Sequence, residues 1–264
     1  ENLSTLMGKY GEEGDKLLFK ILNSGDFLHG MTADEIVNTS TLKLASKFCE
    51  KGLRYDLTVP FARFVVQHRE ELALPFKRYQ IQPVWRADRP QKGRFRQFMQ
   101  CDIDILGEPG NLAEIELILA TTAMLGKLSF QNFTVCINDR NILKAMAAYS
   151  GFREEDYDEV FIILDKMDKI GLDGVKEELL ENGFAEEAVE RYLSLFKNME
   201  EAENGLQYLA DTLGDFLEEG VKQSLSEIIE SVSATKEAEF EMVFDPTLVR
   251  GMSYYTGTIF EIAM

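Results

Sequence analysis

The chain has 264 residues, of which 45% are hydrophobic and 28% are charged, values that are typical of a soluble globular protein with one large domain or two smaller ones. Its apolar runs are shorter than the roughly 18 residues that a membrane-spanning helix needs, so we expect no membrane segment. The formal net charge of −18 argues against a broad nucleic-acid-binding surface, which is normally basic.

The three cysteines, Cys49, Cys101 and Cys136, are odd in number and far apart in the sequence. This usage predicts buried thiols in a reducing compartment, and therefore a cytoplasmic protein. Because His29 and His68 are the only histidines, the chain has no Cys/His spacing that would hold zinc. We expect no metal bound by the protein itself.

The first part of the chain predicts short elements separated by turns. In order, they are a short helix, a turn and a strand within residues 1–20, a loop over 23–41, a helix over 41–51 closed by Gly52, a strand over 53–57, and a helix over 59–72. Thr58 is a candidate cap for the last helix, since Pro60 is tolerated in a first turn. From the residues alone, Asp56 and Thr58 are interpreted as a capping pair.

Two stretches, residues 78–86 and 95–106, alternate between polar and apolar side chains as strands do. The polar face of the first consists of Arg78, Gln80, Gln82 and Arg86, and the matching face of the second consists of Arg96, Phe98, Gln100, Asp102 and Asp104. Two strands that each have one polar face predict a β-hairpin.

The connection between these strands, residues 87–94, contains a proline and a glycine and is predicted to be a long mobile loop. Residues 77–96 contain seven lysines and arginines against a single acid, Asp88, although the whole chain is acidic. Two interpretations are open. One is an ordinary solvated sheet face, and the other is a binding pocket with arginines for phosphate and Phe98 for a base.

The rest of the chain predicts a helix over 111–128, a strand over 133–138, a helix over 141–149, an acidic helical segment over 151–236, and strands over 240–244 and 254–262. The acidic segment carries 23 acidic and 8 basic residues, a net charge of −15, which leaves −3 for the remainder. Glu114 and Glu116 are interpreted as solvent-facing helix charges, with a metal–ATP site as the alternative.

Three stretches resemble the histidyl-tRNA synthetases, a family of class II aminoacyl-tRNA synthetases. They are LRYDLTVPFARF at 53–64, VWRADRPQKGRFRQFMQCDIDILG at 84–107, which is similar to motif 2, and LVRGMSYYTGTIFE at 248–261, which is similar to the histidine signature. The resemblance implies an α+β fold, in which an antiparallel sheet is flanked by helices and a helical insertion interrupts the catalytic domain.

The implied activity is ATP-dependent activation of histidine to histidyl-adenylate, followed by transfer to histidine tRNA. The family's two arginines that stabilise charge on the α-phosphate would be Arg86 and Arg250. ATP, which would bring Mg²⁺, would also meet Arg94, with Arg89 and Lys92 as further candidates. Phe98 is similar to the residue that stacks on adenine.

For histidine, the resemblance implies contacts from Asp56, Thr58, Gln100, Asp104, Tyr254 and Tyr255. Asp56 and Thr58 would hold the α-ammonium group, and Gln100 would lie near the amino and carboxyl groups. Asp104 and Tyr255 would recognise the imidazole. Ser253 stands where many family members carry aspartate, which affects the expected bonding around these tyrosines.

The resemblance also implies a domain organisation. Residues 1–150 would be the catalytic core, residues 151–236 a helical insertion that approaches the tRNA acceptor arm, and residues 237–264 a return to the core. The start of motif 1, motif 3 and the anticodon-binding domain are expected to lie outside the chain. We therefore expect a fragment of a homodimeric enzyme, inactive by itself.

Two other interpretations remain open at this point. In the second interpretation, after the enzyme itself, the chain resembles a catalytically silent paralogue that binds histidine as a regulatory subunit of ATP phosphoribosyltransferase. Retention of RPQKGRFRQF with Arg86 and Arg250 favours the enzyme, since a regulatory subunit has no need of the phosphate-binding residues. The third interpretation is an interaction domain, which predicts no nucleotide binding.

Overall fold

The computed structural model describes residues 1–250 and 255–264. It contains two compact units, Glu1–Glu108 and Pro109–Met264. The combination of helices with mainly antiparallel sheets confirms the predicted α+β class. The finer division at residues 150 and 236 stays a prediction.

The first unit is built from short helices and a long hairpin. Its helices are α1 (Leu3–Leu6), α2 (Gly11–Lys16), α3 (Ala33–Asn38), α4 (Thr41–Phe48) and α5 (Thr58–His68), and its strands are β1 (Lys20–Ile21), β2 (Lys51–Gly52), β3 (Phe76–Trp85) and β4 (Gln97–Leu106). β1 pairs with β2, and β3 pairs with β4, both antiparallel. The hairpin predicted from residue alternation is therefore confirmed.

Three details of this unit differ from the sequence predictions. The predicted loop over 23–41 contains α3, which begins with a capping box in which Thr32 and Glu35 bond each other's backbone N–H groups. The predicted strand over 53–57 is irregular, because its backbone groups serve other partners, such as the Arg54 carbonyl that accepts from Trp85 N–H at 3.0 Å. The helix predicted over 41–51 ends at Phe48, and Gly52 belongs to β2.

The second unit combines a three-stranded sheet with seven α-helices among the residues described. The helices are α6 (Leu112–Lys127), α7 (Arg140–Ser150), α8 (Tyr157–Leu164), α9 (Met167–Glu181), α10 (Glu186–Glu200), α11 (Gly205–Leu213) and α12 (Val221–Thr235), and the strands are β5 (Phe133–Asp139), β6 (Phe240–Phe244) and β7 (Thr258–Ala263). β5 is central, parallel to β6 and antiparallel to β7. β7 begins at Thr258, so the described residues 255–257, which were predicted to belong to this strand, precede it.

One hydrophobic core joins this sheet to the acidic helices. Phe133 of β5 stacks on Phe240 of β6 at 5.4 Å, and the cluster continues through Phe161 of α8 and Tyr192 of α10. Each of these side chains is almost fully buried, and a large aromatic in such a position is worth roughly 3–5 kcal/mol against alanine. Although the segment is acidic, its helices therefore pack through an ordinary hydrophobic core.

Within residues 1–250 and 255–264, no helix combines the length and apolar character needed to cross a membrane.

Candidate active site

The polar face of the β3–β4 hairpin lies inward, and its apolar face is exposed. Arg78 and Asp104 are directly opposed in the register, and their side chains are only 13% and 23% exposed. On the other face, Tyr79 lies opposite Ile103, and both side chains are exposed, Tyr79 at 76%. The interpretation as an ordinary solvated polar face is therefore wrong.

Asp104 is held by an arginine that itself rests on an aromatic ring. Arg78 Nη2 lies 2.8 Å from Asp104 Oδ2, and the guanidinium sits 3.9 Å from the ring centroid of Phe61 on α5. Burial raises the pKa of Asp104 above its ordinary value, and the charge of Arg78 opposes that shift. The result is an oriented, partly desolvated carboxylate, which suits recognition of a polar N–H group.

Asp102 lies next to this pair, although the resemblance gave it no role. Its cross-strand partner is Gln80, which accepts a hydrogen bond from Arg78. Burial raises the pKa of Asp102, the nearby charge of Asp104 adds to the shift, and Arg78 opposes it. The residue alternation placed Asp102 on the correct face of the strand. The raised pKa could not be predicted from that alternation, because it depends on the burial of Asp102 and on its proximity to Asp104 and Arg78 in the folded structure.

This raised pKa predicts a pH-dependent stability effect. An aspartate whose pKa is higher in the folded than in the unfolded state favours folding below the unfolded pKa, and that contribution is lost as the pH rises through the folded pKa. We therefore expect Asp102→Asn to have a higher free energy of unfolding than the wild type at pH 7, with the difference shrinking in acid. Urea unfolding at pH 7 and in acid measures this, and Glu70→Gln, at an exposed carboxylate, is the control. A destabilised Asp102→Asn at pH 7 would contradict the expectation.

Asp56 is buried at the start of α5. Its Oδ1 atom accepts hydrogen bonds from the Tyr10 hydroxyl at 3.0 Å and from the Val59 N–H at 3.1 Å. The helix begins at Thr58, so this residue lies inside the first turn, and the N-cap position is Leu57, whose side chain makes no capping hydrogen bond. The capping function therefore belongs to Asp56, and the predicted use of Thr58 as the cap is wrong. Tyr10, which orients the carboxylate, carried no recognisable signal in the sequence.

Arg86 lies at the end of the hairpin between two aromatic rings. Its guanidinium carbon is 4.3 Å from the ring centroid of Tyr55 and 5.2 Å from that of Phe98, and its Nε donates to the Tyr55 carbonyl at 3.2 Å. Such stacking restricts the rotamers of a long side chain before any ligand arrives. With Nε bound to the backbone, the terminal Nη groups are the donors that a phosphate would meet.

The loop after Arg86 is more regular than its composition predicted. Gln91 and Arg94 exchange two backbone hydrogen bonds around a tight turn, in which Gly93 has a φ of +79° that favours glycine. Arg94 is exposed, and its Nη1 atom lies 3.7 Å from Asp88 Oδ1. The turn therefore presents Arg94 to solvent together with the exposed Arg89 and Lys92.

Gln100 supplies an unusual polar atom to the same face. Its Oε1 is shielded from solvent and has no hydrogen-bond partner among the described residues. Burying an amide oxygen in this way is costly unless a ligand or water completes its bonding. Gln100 therefore marks a position where a bound donor would be stabilising.

The remaining predicted site residues belong to the second unit. Arg250 Nη2 lies 3.4 Å from Glu261 Oε2 of β7. Burial raises the pKa of Asp165, and the charge of Arg250 opposes that shift. Tyr255 is half-buried and packs against the core. Tyr254 and Ser253 lie outside the described residues.

Glu114 and Glu116, on the first turns of α6, are half-buried. The Glu114 Oε2 atom is shielded and has no hydrogen-bond partner in the described part of the chain. The prediction that both are ordinary solvent-facing charges is therefore wrong for Glu114. Within residues 1–250 and 255–264, no cluster of three or more histidine, cysteine or acidic side chains has the arrangement of a metal site.

Comparison with known proteins decides the family. A family model described as "Histidyl-tRNA synthetase" matches residues 22–263. The chain belongs to the histidyl-tRNA synthetase family. The histidine–tRNA ligase of Phocaeicola vulgatus is 50% identical over 264 residues, which cover 99% of this chain and 57% of the relative. The chain thus spans a little over half the length of the curated relatives that it matches.

Two solved structures agree with this assignment at the level of the fold. The histidyl-tRNA synthetase of Nostoc sp. PCC 7120 has a TM-score of 0.65 and 27% identity, covering 80% of this chain and 49% of that one. A protein of Bacillus halodurans, titled an ATP phosphoribosyltransferase regulatory subunit/histidyl-tRNA synthetase, has a TM-score of 0.70 but only 20% identity, covering 98% of this chain and 59% of that one. The second likeness shows the fold alone, so the family's regulatory-subunit alternative is not favoured.

Proposed function

We propose that the intact protein activates histidine with ATP and transfers it to histidine tRNA. The observation that carries this proposal is the inward polar face of the β3–β4 hairpin in a member of the histidyl-tRNA synthetase family. That face combines an oriented carboxylate at Asp104, a shielded amide oxygen at Gln100 and a stacked cation at Arg86. Together these groups provide for the polar parts of histidine and for a phosphate.

Histidine recognition is assigned mainly to the hairpin. The Asp104 carboxylate accepts a hydrogen bond from an imidazole N–H, and Tyr255 serves the other ring nitrogen. Asp56 and Thr58 hold the α-ammonium group, with Gln100 beside the amino and carboxyl groups. Tyr254 is proposed as a further contact on the basis of the family motif alone. A competing amino acid without the imidazole would leave the partly desolvated Asp104 carboxylate and the half-buried Tyr255 hydroxyl without these hydrogen bonds.

The chemical step is assigned to two arginines. An oxygen of the histidine carboxylate attacks the α-phosphorus of ATP, the bond to the β-phosphate oxygen breaks, and pyrophosphate leaves with its electron pair. Negative charge builds on the α-phosphate oxygens, and fixed cations at Arg86 and Arg250 stabilise it. Arg94 binds the outer phosphates and Phe98 stacks on adenine. The nucleotide substrate is expected to be Mg²⁺–ATP.

The second step and the assembly follow from the family. The adenylate acylates the terminal ribose of histidine tRNA and releases AMP. The acidic helices α8 to α12 offer phosphate no general attraction, so contact with tRNA would depend on individual basic residues or on shape. We further propose that the intact protein is a homodimer, as the family resemblance implies, and that it is cytoplasmic, since its three cysteines are free. The prediction that the thiols are buried is wrong for Cys101, which is exposed, and for Cys136, which is half-buried.

Exchange of labelled pyrophosphate into ATP tests the activation step, with the intact parent chain and a panel of amino acids. We expect exchange with histidine and none with phenylalanine or glutamine. Histidine binding without exchange would refute the proposed enzyme. Exchange that is indifferent to the amino acid would refute the assignment of Asp104 and Tyr255 to the imidazole.

A further inference from the structure

The segment that carries Arg250, residues 248–258, is hydrogen-bonded near both of its ends to the junction between β5 and α7. Before the segment's centre, Asn138 Nδ2 donates to the Leu248 carbonyl at 3.1 Å, and Arg140 Nη1 donates to the Arg250 carbonyl at 3.1 Å. After it, the Arg140 N–H donates to the Gly257 carbonyl at 2.9 Å. Three hydrogen bonds from Asn138 and Arg140 thus hold the described residues on both sides of 251–254.

A fourth contact strengthens the second attachment. The Thr258 hydroxyl donates to Asp139 Oδ2 at 3.2 Å, while the Asp139 Oδ1 atom caps α7 by accepting from the Asn141 N–H at 2.7 Å. Asn138 and Arg140 are 0% and 5% exposed. Hydrogen bonds in such a shielded position are costly to break, because the freed groups would lack water partners. The attachment is therefore a rigid one.

Arg140 is a buried cation held by an aromatic ring and a carboxylate. Its guanidinium lies 4.6 Å from the ring centroid of Phe161, and its Nη2 donates to Asp158 Oδ1 at 2.9 Å. Both partners belong to α8, the first helix of the acidic segment. Burial lowers the pKa of Arg140, and Asp158 opposes that shift. A buried charge that is bonded in this way fixes geometry more than it adds stability.

We propose that Arg140 is a positioning residue for histidine activation, which fixes the backbone of Arg250 and couples it to α8. This inference rests on the proposed function, in which Arg250 stabilises the α-phosphate. Among the described residues, the ion-pair partner of the Arg250 side chain is Glu261, with 3.4 Å between Nη2 and Oε2 and both side chains partly exposed. The direction of the guanidinium therefore depends on where the Arg250 backbone is held. An error of about 1 Å in such a group costs on the order of 100-fold in rate.

The test uses Arg140→Lys in the intact protein. Lysine keeps the positive charge and the stem over Phe161, but it cannot donate in a fork to both Asp158 and the Arg250 carbonyl. We expect kcat for histidine-dependent pyrophosphate exchange to fall at least about tenfold, with little change in the KM for histidine. Arg153→Lys, at an exposed arginine that pairs with Asp156, is the matched control and should retain wild-type kcat.

A double-mutant cycle separates positioning from a general structural effect. If Arg140 acts through Arg250, its replacement by lysine should have little further effect on kcat in an Arg250→Ala background. An equal loss in both backgrounds would overturn the proposal, as would wild-type kcat in Arg140→Lys. Should Arg140→Lys fail to fold, Asp158→Asn carries the test, because its carboxylate is 70% exposed. That variant should show a smaller loss of kcat that also disappears without Arg250.

Hydrogen–deuterium exchange tests the proposal without relying on enzymatic activity. We expect faster amide exchange in peptides covering residues 248–258 of Arg140→Lys, with unchanged exchange in β6. Unchanged exchange in 248–258 would overturn the positioning role. If the wild-type protein shows no pyrophosphate exchange, the proposed function fails, whereas the hydrogen-exchange result still decides whether Arg140 fixes this segment.

Discussion

Replacing Asp104 by alanine is expected to reduce histidine-dependent pyrophosphate exchange on the order of 10³-fold, because recognition sites built around a buried hydrogen bond lose that much or more without it. The carboxylate is oriented by Arg78 and partly desolvated, and its removal leaves the imidazole N–H without its assigned acceptor. The fold should persist, since Arg78 keeps its contact with the ring of Phe61. The exchange assay and a thermal unfolding curve measure the two expectations together.

Ile103→Ala is the matched control for this variant. Ile103 neighbours Asp104 on β4, but its side chain points to the opposite, exposed face. We expect its exchange activity to stay within about twofold of the wild type, as for most surface substitutions. Near-wild-type activity in Asp104→Ala would remove Asp104 from the histidine site. A loss in both variants would instead indicate general damage to the hairpin.

Replacing Arg86 by alanine is expected to lower kcat for exchange by about 10²–10³-fold, the usual cost of removing one group that stabilises transition-state charge. The side chain is restricted by Tyr55 and Phe98 before ATP binds, so its cation is available without reorganisation. The KM for histidine should change little, because Arg86 is assigned to phosphate. Steady-state exchange kinetics with varied histidine and varied ATP separate the two effects.

Two further variants show whether charge alone is sufficient at this position. Arg86→Lys keeps the charge but loses the planar fork and much of the stacking, so an intermediate kcat is expected. Arg69→Ala removes an exposed arginine that pairs with Glu70 and should leave kcat unchanged. A higher KM for histidine with unchanged kcat in Arg86→Ala would place this arginine at the amino acid instead.

The hairpin shows how far residue alternation can predict a site. Alternation at period two assigns side chains to faces independently of the rest of the fold, so it correctly placed Arg78 and Asp104 on the same face of the hairpin. It does not determine which face is covered. The inward polar face depends on Tyr55 and Phe61, which precede the hairpin and pack over its arginines. Contacts of that kind were not apparent from the local pattern.

The errors have local causes as well as distant ones. The missed helix α3 did have a sequence signal, the spacing of Thr32 and Glu35 that forms a capping box. By contrast, Arg140 lay between the strand predicted over 133–138 and the helix predicted over 141–149, and its partner Arg250 is 110 residues away. The role of a buried arginine is inferred from the groups that surround it, and the spacing of residues in the sequence does not reveal those groups.

A crystal structure of the intact protein with histidine and a non-hydrolysable ATP analogue tests the central claim most directly. The claim is that the inward polar face of the β3–β4 hairpin binds the substrates of histidine activation. We expect an imidazole nitrogen about 3 Å from the Asp104 carboxylate, adenine against Phe98, and the α-phosphate within reach of Arg86. Histidine bound elsewhere, with Asp104 still paired only to Arg78, would contradict the account.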